Sequence, residues 1–459
     1  MEKLKKIFGV VDMTEGRPWE KILMFTFPML LGNIAQQLYN TVDSVVVGKY
    51  VGDNALAAVG SAGPIFNLLL VLFVGISTGA TIMVSQYLGA KKREELSMTV
   101  GNCIVLTAIA SVFIMIVATL LSRPLLILLD TPESILDWCT SYLQILFIGI
   151  AGLAYYNILC GVLRGLGDSI SALVYLIVAS ILNIILDVLF VAKFNIGVAG
   201  VALATAIAQG VSAVLCVLKL MKMQDMFDFK LKYFRLNKDI ALRVIRLGLP
   251  SGITQAIMSM AMILVQALTN SFGEQFIAAN VIVMRVDGFA MLPNFSFGTA
   301  MTTYAGQNVG AKRMDRVRQG AKQGTLLALG TSAVVTLVIL FLGKYLMGIF
   351  TDTAELVALS MNMMRILAVG YIAVAVTQSL SGVMRGAGDT MTPMWISIVQ
   401  TIIIRVPLAY LLVHLTKSEV YPKGRCEMLF ISLVTSWVLG ALLTFIFYKP
   451  AKWRKQILQ

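Results

Sequence analysis

Apolar runs long enough to cross a membrane recur along almost the whole chain, and this feature constrains its fold more than any other. A helix of about 20 apolar residues spans the hydrocarbon core of a bilayer. Because lipid cannot hydrogen-bond to open backbone groups, each spanning run must form a helix. Only 13% of the residues are charged, about half the share found in soluble domains. The sequence therefore predicts an all-α integral membrane protein.

Twelve spans are predicted, in two sets of six. The first set covers residues 22–48, 55–87, 99–121, 137–161, 169–192 and 197–219, and the second covers 244–271, 276–305, 319–343, 356–382, 391–414 and 427–448. Kinks are expected in the long second and eighth spans, which contain Pro64 and Pro293. The polar and charged residues 1–20 argue against a cleavable signal peptide.

The distribution of Lys and Arg predicts how these spans are oriented. Of the 37 basic residues, 27 lie in the termini and in the loops on the same side, and seven lie in the alternate loops. The positive-inside rule then predicts a multi-pass protein of a bacterial inner membrane with both termini in the cytoplasm. The net charge of +13 is thus a topology signal, which anionic lipid would reinforce, and it requires no nucleic-acid partner.

An internal repeat divides the chain into two halves. Residues 161–169 match residues 382–390 at six of nine positions with an offset of 221, and the same offset joins 86–92 to 307–313 and 52–58 to 273–279. Six spans return the chain to the same side, so we expect two lobes of like orientation, related by a pseudo-two-fold axis along the membrane normal around a V-shaped cleft. The predicted N-lobe covers residues 1–221, a basic cytoplasmic linker covers 222–240, and the C-lobe covers 241–459.

The repeated motifs have a structural and a functional interpretation. Arg164 and Asp168 fall at a short turn whose glycines end one helix and permit the next. Turn formation with ion pairing is one hypothesis, and direct contact with a ligand is the other. The five cysteines are odd in number and widely spaced, which argues against a disulfide framework or a metal cluster.

Four polar residues of the first half fall at a similar depth in three predicted spans: Asp43, Asn183, Asp187 and Thr205. Each lies roughly 9–15 Å below the outer end of its helix at the rise of an α-helix. Two carboxylates in a low dielectric favour uptake of a proton by one of them, and the same oxygens could instead hold Na⁺. The alternative is that these groups only join helices through polar contacts.

The second half does not repeat this set, since Asp43 corresponds to Leu264 and Asp187 to Leu408. We therefore expect the coupling ion in the first lobe. Arg285 and Arg405 could bind an anionic group or pair with Asp287. The residues predicted to line a substrate cleft are Gln36, Tyr39, Asn67, Gln255, Met258, Met284, Arg285, Asp287 and Arg405.

Several motifs together resemble those of the multidrug and toxic compound extrusion (MATE) family over essentially the whole chain. They are Pro28, Val42-Asp43, Gly48-x-x-x-Gly52-x-x-Ala55-Leu-Ala-Ala58, Gln86-x-x-Gly89-Ala-Lys91, Arg164-Gly-x-Gly167-Asp168, Asn183-x-x-x-Asp187 and Gly200-x-Ala202-x-Ala204-Thr205. The chain is more similar to the DNA-damage-inducible type branch than to the norfloxacin-transporter branch, whose acid in helix 7 is replaced here by Ser259 and its neighbours.

The resemblance implies export of organic, often cationic and amphipathic compounds, coupled to inward movement of H⁺ or Na⁺. It implies an ion site at Asp43, Asn183, Asp187 and Thr205, completed by the backbone carbonyl of Val201. No cofactor besides the coupling ion is expected. The expected partners are a small organic substrate and the lipid bilayer, with the protein as a monomer.

Two other functions are alternatives to export. A flippase for lipid-linked saccharides or precursors would use Arg285 and Arg405 to hold a pyrophosphate. A membrane-embedded enzyme or a channel is the third possibility. The sequence lacks an acidic prenyl-diphosphate motif, H-E-x-x-H and a nucleotide-binding loop, which argues against an enzyme.

Overall fold

A computed structural model of the chain describes residues 9–128 and 131–449. Some side chains between residues 40 and 68, including those of Asp43 and Pro64, lie outside the described set. The described residues form helices joined by short turns and contain no strand.

The described residues of the first half form seven α-helices. They are α1 (Pro18–Tyr50), α2 (Asp53–Gly89), α3 (Arg93–Leu128), α4 (Glu133–Ile148), α5 (Ile150–Gly165), α6 (Ser169–Asp187) and α7 (Val198–Lys222). A π-helix, Val188–Lys193, continues α6, and a single 3₁₀ turn, Leu231–Tyr233, follows α7.

In the second half, the part that the structure describes, up to residue 449, also forms seven α-helices. They are α8 (Lys238–Asn270), α9 (Glu274–Gly310), α10 (Met314–Gly348), α11 (Ala354–Gly386), α12 (Met391–Ile398), α13 (Val406–Leu415) and α14 (Glu427–Tyr448). A π-helix, Val399–Arg405, joins α12 to α13.

Each predicted span lies, to within one residue at its ends, inside one of these helices or helix pairs, so the all-α membrane fold with repeated halves is confirmed. Ten of the described helices are long and apolar enough to cross a membrane, or eleven if α4 and α5 count as one bent span. With α1, which contains the first predicted span, the helices account for the predicted set of twelve. Several helices extend beyond the apolar runs by polar turns at one or both ends, as Arg93–Leu128 does.

The predicted span 137–161 is broken in the structure by a bend of 52° between α4 and α5. Gly149 lies at the break, and a Cβ there would overlap the side chain of Ala206 on α7. A Cβ at Gly152 would lie 2.8 Å from the backbone nitrogen of Gly210. Bends in helices commonly occur at glycine, and here two glycines let α7 approach the bent segment.

The repeated motifs fold into the same turns in both halves. Gly167 and Gly388 have φ angles of +91° and +97°, and Gly52 and Gly273 have φ angles of +105° and +98°. A residue with a side chain adopts such angles only with strain, which explains why glycine stands at both positions of each pair. The offset of 221 seen in the sequence is therefore also an offset between equivalent backbone conformations.

The chain divides into two compact units, and each unit is made of two separate segments of the sequence. One unit contains Met1–Asp12 and Phe27–Gly252, and the other contains Met13–Thr26 and Ile253–Gln459. The start of α8 therefore belongs to the first unit, and the start of α1 belongs to the second. The predicted lobes 1–221 and 241–459 and the linker 222–240 stay a prediction.

Two glycine pairs bring α2 and the start of α8 together inside the first unit. Gly75 and Gly79 are four residues apart on α2, and Gly248 and Gly252 have the same spacing on α8. A Cβ at Gly75 would lie 3.1 Å from the carbonyl oxygen of Gly248, and one at Gly79 would overlap the carbonyl oxygen of Val244. Paired small residues of this spacing let membrane helices pack backbone against backbone.

Candidate functional site

The helix α6 carries two polar residues on its buried face. Leu176, Ala179, Asn183 and Asp187 are all buried and recur every three or four residues, so they share one face of the helix. The side chains of Asn183 and Asp187 have no solvent exposure. An acid and an amide thus lie inside the protein on a helix that is otherwise apolar enough to cross a membrane.

Asn183 connects Asp187 to Thr205 on the neighbouring helix α7. In the amide orientation that satisfies both neighbours, its nitrogen donates to Oδ2 of Asp187 at 2.8 Å. Its oxygen then accepts hydrogen bonds from the backbone N–H of Thr205 at 3.1 Å and from Oγ1 at 3.2 Å. Hydrogen-bond networks of this kind decide amide orientation, and here the network places a carboxylate, an amide and a hydroxyl together.

The predicted roles of Val201 and Asp43 in the ion site stay predictions. Val201 is fully buried one turn before Thr205 on α7, but a role for its carbonyl stays a prediction. The side chain of Asp43 lies outside the described residues. The predicted meeting of two carboxylates therefore stays a prediction as well.

The oxygen atoms of this cluster suit a hard cation or a proton. Carboxylate, amide and hydroxyl oxygens are ligands for hard ions, and a carboxylate in a membrane span costs free energy that a bound cation or proton reduces. Among the described residues, no group of three or more His, Cys, Asp or Glu side chains forms a candidate metal site.

Asp168 acts as the N-cap of α6 at the repeated turn. Its carboxylate accepts hydrogen bonds from the backbone N–H of Ser171 at 2.9 Å and from Oγ at 2.7 Å. Its charged partner is Lys219 at 3.3 Å, whereas Arg164 donates to Ser77 Oγ at 3.2 Å. The turn-forming interpretation of Asp168 thus has a structural basis in this cap.

A cavity of about 360 Å³ lies within the second unit. Five predicted cleft residues line it: Gln255, Met258, Met284, Asp287 and Arg405. Arg285 is exposed and does not line it, and Gln36, Tyr39 and Asn67 belong to the first unit. The other lining residues include Met262, Met291, Phe295, Phe430 and Trp437, so the wall is mainly apolar.

The cavity contains one acidic and one basic side chain. Asp287 accepts a hydrogen bond from the hydroxyl of Tyr371 at 2.7 Å, and the ring of Tyr371 packs against Trp437 with centroids 5.8 Å apart. Neither Arg285 nor Arg405 forms an ion pair with Asp287 within 4.0 Å in the described part of the chain. Among the described residues, the acidic and the basic group of the cavity wall are thus not joined by a direct ion pair.

Local backbone structure accounts for the position of Arg405. It is the last residue of the π-helix Val399–Arg405, two residues before Pro407. Because proline lacks an N–H, it cannot donate the α-helical hydrogen bond to the carbonyl of Ile403. Such π-helical turns occur frequently at functional sites.

Tyr371 was not among the predicted site residues. It is fully buried and lies 84 positions from Asp287 in the sequence, so no local motif links the two. Its only sequence signal is a phenol within an apolar span, where a buried hydroxyl needs a partner.

Comparison with known proteins identifies the family. The MatE family model matches residues 28–189 and again residues 250–411, once in each half of the chain. The Bacillus subtilis proteins named probable multidrug resistance protein YoeA and probable multidrug resistance protein YpnP are each 28% identical to this chain. The YoeA match covers 98% of this chain and 97% of that protein, and the YpnP match covers 96% and 97%.

A solved structure described as the outward-facing conformation of a multidrug resistance MATE family transporter of the MOP superfamily has the same fold. It superposes with a TM-score of 0.89 and 24% identity, and the match covers 98% of both chains. The predicted branch within the family stays a prediction. Because the family model covers most of both halves, the chain belongs to the MatE family of membrane transporters.

Proposed function

We propose that this chain exports organic compounds across the inner membrane in exchange for H⁺ or Na⁺, and that the coupling ion binds at Asn183, Asp187 and Thr205. The supporting observation is a fully buried carboxylate, Asp187, that shares an amide with a hydroxyl on the next helix. Ionisable groups inside a membrane span are costly and are typical of ion and proton pathways. No cofactor is needed for this exchange.

Binding of a cation would remove the negative charge of the cluster. The charged and neutral forms of Asp187 differ in their interaction with the surrounding low dielectric. That difference can favour one conformation over another, which is the requirement for coupling an ion to a substrate. Asp43 and the carbonyl of Val201 would complete the site.

The cavity of the second unit is our candidate for the substrate-binding site. Its volume of about 360 Å³ is at the small end of the range for organic ligands. Methionine side chains adapt to ligands of varied shape, and Asp287 would attract a cationic group. The names of the relatives YoeA and YpnP describe multidrug resistance. We propose that this chain likewise exports drugs, that these are cationic and amphipathic, and that it acts as a monomer in the bilayer.

Efflux of ethidium from proteoliposomes, with a pH gradient and a Na⁺ gradient imposed separately, tests this proposal. We expect Asp187→Asn to abolish efflux driven by either gradient without loss of folded protein. Thr205→Ser keeps the hydroxyl and should retain most of the activity, whereas Thr205→Val should lose it. Asp137→Asn is the matched control, because this acid is 79% exposed and pairs with Arg123. Normal efflux by Asp187→Asn would refute the site.

A flippase remains the second candidate because Arg405 lines the cavity without an ion pair among the described residues. A pyrophosphate would compensate that charge. The other predicted ligand, Arg285, lies outside the cavity lining, which weakens this alternative. Translocation of a fluorescent lipid pyrophosphate in the same proteoliposomes, with no efflux of ethidium, would favour the flippase.

A further inference from the structure

The segment that joins α7 to α8 lies along the first turns of α3. The backbone N–H of Asp228 donates to Ser97 Oγ at 2.8 Å, and the backbone N–H of Asn237 donates to Oδ1 of Asn102 at 2.8 Å. Between them, the carbonyl oxygen of Tyr233 lies so close to α3 that a Cβ at Gly101 would overlap it. The segment is therefore fixed along its length against one helix of its own unit.

These contacts define the depth of the segment relative to α3. The helix begins at Arg93, and Asn102 lies roughly 14 Å further along the axis at the rise of an α-helix. Polar residues dominate α3 before Val100, and apolar residues dominate it from Ile104 onward. The segment thus runs beside the stretch of α3 where a membrane span passes from the polar headgroup region into hydrocarbon.

The two faces of the segment differ in chemistry. The inner face is aromatic: Phe227 is fully buried, and the rings of Phe229 and Phe234 meet edge to face with centroids 5.1 Å apart. The outer face is basic and apolar, with Leu231 84% exposed and Leu236 52% exposed. The exposed cations beside these leucines are Lys230, Lys232, Arg235 and Lys238.

The nearest acidic groups do not cancel this positive charge. The carboxylate of Asp228 is engaged by Arg93 at 2.8 Å, so it neutralises a cation of α3 instead. Asp225 and Asp239 are exposed at the two ends of the segment, and Glu94 at the start of α3 is exposed and attracts Lys232. These three acids are fewer than the four cations beside the leucines.

We propose that the outer face of this segment, here called the linker surface, binds anionic lipid headgroups of the adjoining leaflet. The linker surface consists of Lys230, Leu231, Lys232, Arg235, Leu236 and Lys238. The cations contact the phosphates while the leucines enter the interface, as at other amphipathic membrane surfaces. A nucleic acid would use the cations but would leave the leucines exposed to water. The proposal is independent of the transported substrate and gives the basic linker a role besides setting topology.

An environment-sensitive fluorophore at position 231 tests this proposal. Leu231→Cys is labelled in a Cys426→Ser background, because Cys103, Cys139, Cys160 and Cys216 are buried. In nanodiscs, we expect stronger quenching by spin-labelled lipid when the bilayer contains phosphatidylglycerol than when it contains only phosphatidylcholine. Gln224→Cys is the matched control, since it is exposed on the same segment outside the linker surface.

The charge dependence is tested with Lys230→Gln, Lys232→Gln and Arg235→Gln combined. We expect retention of anionic lipid around the protein, measured by lipid analysis after purification, to fall by roughly fivefold for each cation at the surface. Equal quenching in both bilayers, or unchanged lipid retention in the triple variant with normal thermal unfolding, would overturn the proposal. A change in the fluorescence of the label with soluble glycerol phosphate as large as that with the anionic bilayer would likewise overturn the proposal. Such a result would indicate a phosphate site instead of a lipid surface.

Discussion

Tyr371 donates a hydrogen bond of 2.7 Å to Asp287 from a position with no solvent exposure. The phenol therefore fixes one oxygen of the carboxylate that lines the cavity. We expect Tyr371→Phe to lower stability by about 1–3 kcal/mol, the usual cost of losing a hydrogen bond to a charged or buried group. Ethidium affinity should fall with it, because Asp287 would be less well positioned.

Tyr410→Phe is the control for this change. It removes the same atom from an exposed tyrosine that bonds the carbonyl of Leu264 at 3.0 Å. Its effect on thermal unfolding should stay within about 0.5 kcal/mol. Equal effects of the two substitutions would show that the hydroxyl of Tyr371 has no special role at Asp287.

The acidic and the basic side chain of the cavity wall predict opposite effects of their removal on the binding of a monocation. Asp287→Asn removes the attracting charge and should weaken ethidium binding by tenfold or more, about 1.4 kcal/mol. Arg405→Gln removes a like charge and should strengthen it. Fluorescence titration of the purified variants measures both, with Arg285→Gln as the control because this arginine does not line the cavity. Weaker binding by Arg405→Gln would contradict the electrostatic argument.

Substitution of the equivalent aspartates of the two repeated turns should destabilise the protein to different degrees. Asp168 and Asp389 accept equivalent hydrogen bonds, from Ser171 and from Thr392, but only Asp168 is the N-cap residue of its helix, and it also pairs with Lys219 at 3.3 Å. Loss of an N-cap costs about 0.5–2 kcal/mol. We expect Asp168→Ala to lower the melting temperature more than Asp389→Ala does. Asp168→Asn keeps a good cap and should recover most of the loss.

Much of the fold could be predicted because it depends on local sequence. The length of each apolar run sets a span, and the glycines of the repeated motifs require turns with positive φ, as at Gly167 and Gly388. These features depend on a few neighbouring residues. The same holds for Asn183 and Asp187, which one helical turn places on a common face.

The remaining features depend on contacts between helices that are distant in sequence. The bend at Gly149 depends on Ala206, and the cavity depends on Tyr371 and Arg405 being near Asp287. A single sequence contains no signal for such pairs. The spacing of the glycines on α2 and on α8 can be read from the sequence, but the packing of these two helices against each other cannot. Small residues four apart also occur where no helix packs.

The packing of α2 against α8 predicts a severe effect at Gly79. A Cβ there would overlap the carbonyl oxygen of Val244, and backbone atoms cannot move aside as a flexible side chain can. We expect Gly79→Ala to lower stability by about 1–3 kcal/mol, the usual range for overpacking. Gly210→Ala is the control, since a Cβ there meets no atom within 4 Å. The ratio of folded to aggregated protein after gentle heating measures the difference.

The attachment of the linker segment to α3 should depend on pH through Asp228. A hydrogen bond from the Arg93 side chain holds the pKa of this carboxyl below its ordinary value of 3.8. The stabilisation that this charged pair gives to the attached segment is therefore present above about pH 4. It is lost as the pH falls through the lowered pKa. Hydrogen exchange of residues 224–237, corrected for intrinsic rates, should be faster at pH 3 than at pH 6. Asp228→Asn should remove this pH dependence, whereas Asp225→Asn should retain it, because Arg93 bonds only the backbone carbonyl of Asp225. An unchanged pH dependence in Asp228→Asn would exclude the Arg93 pair as its cause.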